Sequence, residues 1–158
     1  MEPGLRDFAR TFVDAYDKRY AEKLATAKCE ADRPELNSAV SVRLLSSRVV
    51  PDSMEAAIFN KQHFEFAILN NSARTLIGVA GNVGLVDVFG KTIGSFEMEI
   101  TETLRPHAEH GWEFKRVTRA HSTDKEDRLW ELKDGRFKVE FVPETIVFEG
   151  GRTLRRHC

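Results

Sequence analysis

The sequence predicts a mainly-β protein, an antiparallel β-sandwich of about seven strands preceded by one amphipathic α-helix. Two patterns along the 158 residues carry this prediction. Near the N-terminus apolar residues recur every three or four positions, which is typical of a helix with one buried face. From residue 38 onward the apolar period becomes two, which is typical of half-buried strands, and turn-forming residues separate the runs. A chain of this length can bury a substantial core in one domain.

The N-terminal amphipathic helix is expected over residues 1–28. Its apolar stripe follows three- and four-residue steps through Leu5, Phe8, Phe12, Tyr16, Tyr20 and Leu24. Burying such a side chain contributes roughly 1.5–3 kcal/mol, so we expect the stripe to dock on the sandwich. The alternative is a stripe that meets another chain, for which Phe8, Phe12 and Tyr16 are the partner-facing candidates.

The remaining domain boundaries follow from composition and period. Residues 29–37 contain Pro34, which interrupts the helical pattern, and we expect a linker there. Residues 38–154 form the predicted β-sandwich domain. Residues 155–158 form a short tail, and its last residue, Cys158, is expected to be mobile because of its terminal position.

Strands are expected wherever apolar and polar residues alternate between turn signals. The clearest alternation covers residues 95–101, which predicts a strand with one buried face. Turn signals lie at residues 89–91, at residues 110–111 and at Pro143. We therefore expect separate strands on the two sides of Pro143.

The sandwich region resembles a known family. The similarity lies in Phe-Glu-Phe-Ala-Ile-Leu-Asn-Asn-Ser (64–72), Ile-Gly-Val-Ala-Gly (77–81), Leu-Val-Asp-Val-Phe-Gly-Lys (85–91) and Lys-Val-Glu-Phe-Val-Pro-Glu-Thr-Ile-Val-Phe-Glu-Gly-Gly (138–151). These runs are similar to the FxLYD-like, immunoglobulin-type β-sandwich domains of bacterial secreted proteins and lipoproteins. The resemblance covers residues 38–154. It implies an immunoglobulin-like fold, an envelope location and a lipid anchor upstream of the helix, and it implies no catalytic residues.

Charge and glycine spacing argue against several classes of ligand. The chain has 24 basic and 25 acidic residues and a net charge of −1, whereas nucleic-acid binders concentrate a basic face. Gly78, Gly81 and Gly84 lie within a strand pattern, so bulges or close sheet contacts explain them better than a phosphate-binding loop. No apolar run approaches the length of a membrane span. We expect no nucleic-acid partner, no cofactor and no transmembrane segment.

The two cysteines do not decide the cellular compartment of the protein. Cys29 and Cys158 either form one disulfide in an oxidising compartment or remain separate thiols. If they pair, the bridge joins the end of the helix to the C-terminal tail. An extracytoplasmic location, periplasmic or membrane-attached, is the expectation, and a cytoplasmic one follows if Met1 is the natural start.

The sequence is consistent with three functional classes. The leading interpretation is a non-enzymatic binding or structural module of a bacterial cell envelope, whose partner is another envelope protein or a second copy. The second is a small metal-dependent hydrolase that uses His107, His110 and His121, because closely spaced imidazoles can share a zinc ion. The third is a carrier of a small apolar ligand, which would require a cavity between the sheets.

Overall fold

The architecture is known from a computed structural model that describes residues 3–51, 59–119 and 137–158. Within these residues the chain forms one helix and seven strands, whose bounds are α1 (Pro3–Ala39), β1 (Val40–Pro51), β2 (Phe59–Asn70), β3 (Leu76–Asp87), β4 (Thr92–Ile100), β5 (Glu109–Arg119), β6 (Phe137–Phe148) and β7 (Thr153–Arg155). The prediction of a mainly-β fold with one N-terminal helix is confirmed.

The strands form two antiparallel sheets. One sheet has the order β1-β2-β5, and the other has the order β4-β3-β6-β7. The chain therefore changes sheet between β2 and β3, between β4 and β5, and between β5 and β6. Such crossings between two packed sheets characterise the Greek-key connections of immunoglobulin-like sandwiches. The predicted sandwich topology is confirmed.

The core lies between the two sheets and is built on aromatic rings. Phe64 and Phe66 on β2 approach Phe96 on β4, with ring centroids 5.0 and 6.2 Å apart. On β4 the buried side chains alternate with exposed ones, as the sequence predicts. These rings occupy the space where a ligand carrier would need its cavity, so the packing does not favour the carrier hypothesis.

The expected break at Pro143 is wrong, because β6 runs through it without interruption. Pro143 pairs with Gly81 on β3, next to a register shift between Ala80 and Gly81. The missing N–H of proline is tolerated because a bulge already interrupts the ladder there. A Cβ on Gly81 would lie 2.5 Å from the carbonyl oxygen of Val142. The interpretation of this glycine as a bulge with a close strand contact is confirmed.

The expected turn at residues 110–111 is also wrong. His110 and Gly111 lie inside β5, opposite Ile68 and Ala67 of β2. The actual turn comes earlier and includes His107, whose φ is 58°. In contrast, the expected turn at residues 89–91 is confirmed. Pairing with β2 therefore overrides the local turn preference of a glycine.

Asn70 holds together the end of the sandwich that faces the helix. Its side chain is fully buried, and the two hydrogens of its Nδ2 are shared among the carbonyl oxygens of Arg74, Leu104 and Arg105 at 2.8 to 3.0 Å. Its Oδ1 accepts hydrogen bonds from the backbone N–H and hydroxyl of Ser72. One side chain thus fixes the β2–β3 turn against the segment that leads to β5.

The helix is longer than expected, and the predicted linker over residues 29–37 is wrong. Helix α1 continues through Pro34 to Ala39. Pro34 has no N–H to donate to the carbonyl of Glu30, so the helix lacks one backbone hydrogen bond there. One turn later the Ser38 hydroxyl donates to the Pro34 carbonyl at 3.0 Å. Tertiary contacts of residues 29–39, described below, compensate for the low helix propensity of proline.

Candidate functional site

A disulfide joins the helix to the end of the chain. Cys29 and Cys158 are bonded, with their Cα atoms 5.8 Å apart and 129 residues between them in sequence. Of the two alternatives left by the sequence, the disulfide is the one present, and it links the helix to the C-terminal tail as predicted. A bridge that closes so long a loop contributes about 4–5 kcal/mol in the chain-entropy model.

An ion-pair clamp lies beside this disulfide. Arg152 Nη1 donates to Glu35 Oε1 at 2.9 Å, and Nη2 donates to Glu35 Oε2 and, at 3.3 Å, to Asp32 Oδ1. The hydrogen bond with Glu35 is the main reason that the pKa of Arg152 is raised. The guanidinium also lies over the Phe148 ring, 5.7 Å from its centroid. Nothing in the spacing of these residues indicates the clamp, because its partners are far apart in sequence.

Apolar contacts and the tail complete the attachment. Leu36 and Ala39 are buried on the sandwich. Arg156 donates from Nε to the Pro143 carbonyl at 2.7 Å and from Nη2 to Asn37 Oδ1. The expectation that Cys158 is mobile is therefore wrong, because its disulfide and the hydrogen bonds of Arg156 hold the tail against the helix and β6.

The N-terminal part of the helix makes a different surface. Phe12, Tyr16, Tyr20 and Leu24 have relative exposures of 66%, 64%, 57% and 54%. We call these four side chains the helical stripe. The expectation that they dock on the sandwich is wrong. The side chains of the other two expected members, Leu5 and Phe8, lie outside the described part of the structure.

The helical stripe is uncovered because the helix attaches by another face. Residues of an α-helix advance about 100° each around its axis. On this spacing the helical stripe and the attached positions Cys29, Asp32 and Leu36 lie on nearly opposite sides of α1. Once the disulfide and the Arg152 clamp are formed, the helical stripe must point away from the sandwich of its own chain.

A second uncovered apolar group lies at the tip of the β3–β4 hairpin. Phe89 is 90% exposed and follows the exposed Val88. The turn is ordered by Asp87, whose Oδ1 accepts from the backbone N–H groups of Phe89 and Lys91, each at 2.9 Å. This tip is at the far end of β3 from the helix, so the two surfaces are separate.

The histidines proposed as metal ligands are only partly described. His107 is exposed on its turn, and His110 Nε2 lies 3.0 Å from a carboxylate oxygen of Glu102. His121 lies outside the described residues. Among residues 3–51, 59–119 and 137–158, no three side chains of the ligating types come together in a metal-binding group. The three-histidine hypothesis therefore stays a prediction.

Comparisons with known proteins give only distant likenesses. No protein-family model matches the sequence, and no curated protein sequence is significantly similar to it. The chain is similar to the X-ray structure of the Northeast Structural Genomics Consortium target SoR45, with a TM-score of 0.44 and 13% identity over 75% of this chain and 81% of that one. It is also similar to the putative ApaA protein from Bordetella pertussis, with a TM-score of 0.36 and 10% identity over 73% and 84%. The trimeric lipoprotein SadB of Salmonella enterica follows, with a TM-score of 0.33 and 9% identity over 96% and 84%.

The structure also bears on membrane insertion. In the described part of the chain, α1 lacks the apolar character over its length that crossing a bilayer would require.

Proposed function

We propose that this protein is a non-enzymatic interaction module that binds a protein surface through its helical stripe and uses the sandwich as a scaffold. The observation that carries the proposal is the exposure of three aromatic side chains and one leucine along a single helix. Contiguous apolar surface of this kind marks interaction sites on soluble proteins. Aromatic residues also provide much of the binding energy in protein interfaces.

The attachment of the helix supports this function. Most of the stability of a helix in a protein comes from tertiary packing of one face. Here the Cys29–Cys158 disulfide and the Arg152 clamp hold its C-terminal part on the sandwich. A binding surface that is already ordered loses less conformational entropy when a partner binds.

The proposal includes an extracytoplasmic setting in a bacterial cell envelope. The disulfide supports it, because disulfides form and persist in oxidising compartments. Membership of the FxLYD-like family and a lipid anchor upstream of the helix are the finer parts of this proposal. They rest on the residues of the sandwich region quoted above.

Site-specific photo-cross-linking tests the binding function. A photoreactive amino acid replaces Tyr16 in the full chain, which is then irradiated in its own host. The matched control carries the same amino acid at Lys18, an exposed position on the other side of the helix. We expect protein adducts from position 16 and few from position 18. Equal yields at the two positions, or no adduct at position 16, would contradict the function.

A further inference from the structure

We propose that the helical stripe binds the same stripe of a second copy of this chain and that the two helices lie antiparallel. This inference rests on the proposed function, because it names the partner of the same surface. Four properties of the chain support this pairing: the charges along the helix, the spacing of the apolar residues, the area that they offer and the position of the sandwich.

Within residues 10–28 of α1 the charges differ between the N-terminal and the C-terminal half of the segment. Residues 10–17 contain one basic and two acidic side chains, a net charge of −1, whereas residues 18–28 contain four basic and one acidic, a net charge of +3. Packed helices lie about 8–10 Å apart, which is about one Debye length at physiological ionic strength, so attraction between their charges is only partly screened. An antiparallel pair places each acidic half beside a basic half. A parallel pair would place two basic halves side by side.

The spacing of the helical stripe fits the same arrangement. Its four members are four residues apart, and the midpoint of the series is residue 18. Antiparallel pairing about this midpoint places Phe12 against Leu24 of the second copy and Tyr16 against its Tyr20. Side chains four residues apart form a continuous ridge along a helix, against which a second helix can pack. The result is a closed, two-fold symmetric contact.

The available area fits a dimer of modest affinity. A fully buried aromatic side chain removes about 150–250 Å² from water, so four side chains that are more than half exposed offer roughly 400 Å² per copy. Two copies bury roughly 800 Å², and the exposed Val13 beside the stripe adds to this. The total approaches the roughly 1,000–1,200 Å² of the smaller specific interfaces. We therefore expect dissociation constants of about 1–100 μM.

The position of the sandwich leaves room for this pair. The segment of residues 10–28 is about 28 Å long, and the sandwich is attached at its C-terminal end. Antiparallel helices carry their sandwiches at opposite ends of the pair. Neither domain then covers the helical stripe of the other chain.

Sedimentation of the full oxidised chain tests the second copy as partner. We compare the wild type with Tyr20→Asp and with the matched control Ala21→Asp, which adds the same charge at the next position, off the stripe. We expect a concentration-dependent dimer whose dissociation constant rises at least about tenfold in Tyr20→Asp. In Ala21→Asp it should change less than about threefold. Helix content and disulfide formation are checked in each variant.

Three outcomes are distinguishable. A wild type that stays monomeric up to about 500 μM, above the range expected for such an interface, overturns the self-association. So does equal weakening by both substitutions. If position 16 nevertheless cross-links to a different protein, the proposed binding function stands and only the identity of the partner is wrong.

A short amine-reactive cross-linker tests the orientation. The lysines of the helix are Lys18, Lys23 and Lys28, and mixed ¹⁴N and ¹⁵N chains identify links between copies. Lys23 lies on the same side of α1 as the helical stripe, so in the antiparallel pair the two Lys23 residues are about 15 Å apart along the axis, whereas the two Lys28 residues are about 30 Å apart. We expect the first link and not the second. A link between the two Lys28 residues would show a parallel pair and overturn the proposed orientation.

Discussion

Arg152 and Glu35 form the two-pronged ion pair that attaches the helix to the sandwich. Both terminal nitrogens of the guanidinium contact the two carboxylate oxygens, across 117 residues of sequence. Asp32, which accepts from the same guanidinium, lies within about 60° of Cys29 around the axis of α1, on the side that carries the Cys29–Cys158 disulfide. The face chosen by these contacts decides that the helical stripe points away from the sandwich.

Arg152→Ala should loosen the helix without unfolding the sandwich. The pair is partly exposed, with side-chain exposures of 38% and 40%, so solvent screening keeps its contribution near 1 kcal/mol. We expect urea unfolding to show a loss of about 1–2 kcal/mol, including the contact with Phe148. Hydrogen exchange should accelerate over residues 29–39. Arg43→Ala, which breaks a more exposed pair with Glu109, should cost less than about 0.5 kcal/mol.

Asn70→Ala should be strongly destabilising. The substitution leaves the carbonyls of Arg74, Leu104 and Arg105 without their shared donor in a buried site. We expect a loss of about 2–4 kcal/mol in the free energy of unfolding, measured by urea denaturation. The control is Asn71→Ala, since Asn71 is exposed and its side chain donates to the Ser38 carbonyl. If the two variants were equally stable, the structural role assigned to Asn70 would be wrong.

Gly81→Ala tests the close contact between β3 and β6. The new methyl group would lie 2.5 Å from a backbone carbonyl oxygen and 2.6 Å from the Phe141 ring. We expect a loss of about 1–3 kcal/mol in thermal or urea unfolding. Gly84→Ala is the matched control on the same strand, because its nearest neighbour would be 3.7 Å away. A Gly81→Ala variant as stable as the control would contradict the close approach.

Phe12→Asp and Leu36→Ala should have very different effects on the free energy of unfolding, because Phe12 lies in the uncovered part of the helix and Leu36 in the attached part. Phe12 is mostly exposed, so its replacement should change the unfolding free energy of the monomer by less than about 0.5 kcal/mol. Leu36 is fully buried, and Leu36→Ala should cost about 2–5 kcal/mol. Both are measured at a protein concentration low enough to avoid association. A large loss in Phe12→Asp would indicate that the helical stripe docks on its own sandwich after all.

The sequence by itself determined the fold class and most of its elements. Alternation such as that of Phe96, Met98 and Ile100 indicates which face of a strand is apolar, because successive side chains point to opposite sides. The turn around Gly90 follows from local preferences, since its φ of 80° suits glycine. The helical pattern likewise predicts α1 and identifies its apolar residues. All of these properties depend on neighbours in the chain.

The tertiary structure decided what each element packs against. An apolar periodicity states that a face can be buried, but it contains no information about the surface that buries it. The helix continues through Pro34 and attaches by Cys29, Asp32 and Leu36, because contacts with the C-terminal segment outweigh local propensity. The hydrogen bonds of Asn70 and the Arg152–Glu35 pair depend on the same kind of long-range contact. The helical stripe could therefore be read from the sequence, whereas its exposure could not, because that depends on which face of the helix the folded sandwich binds.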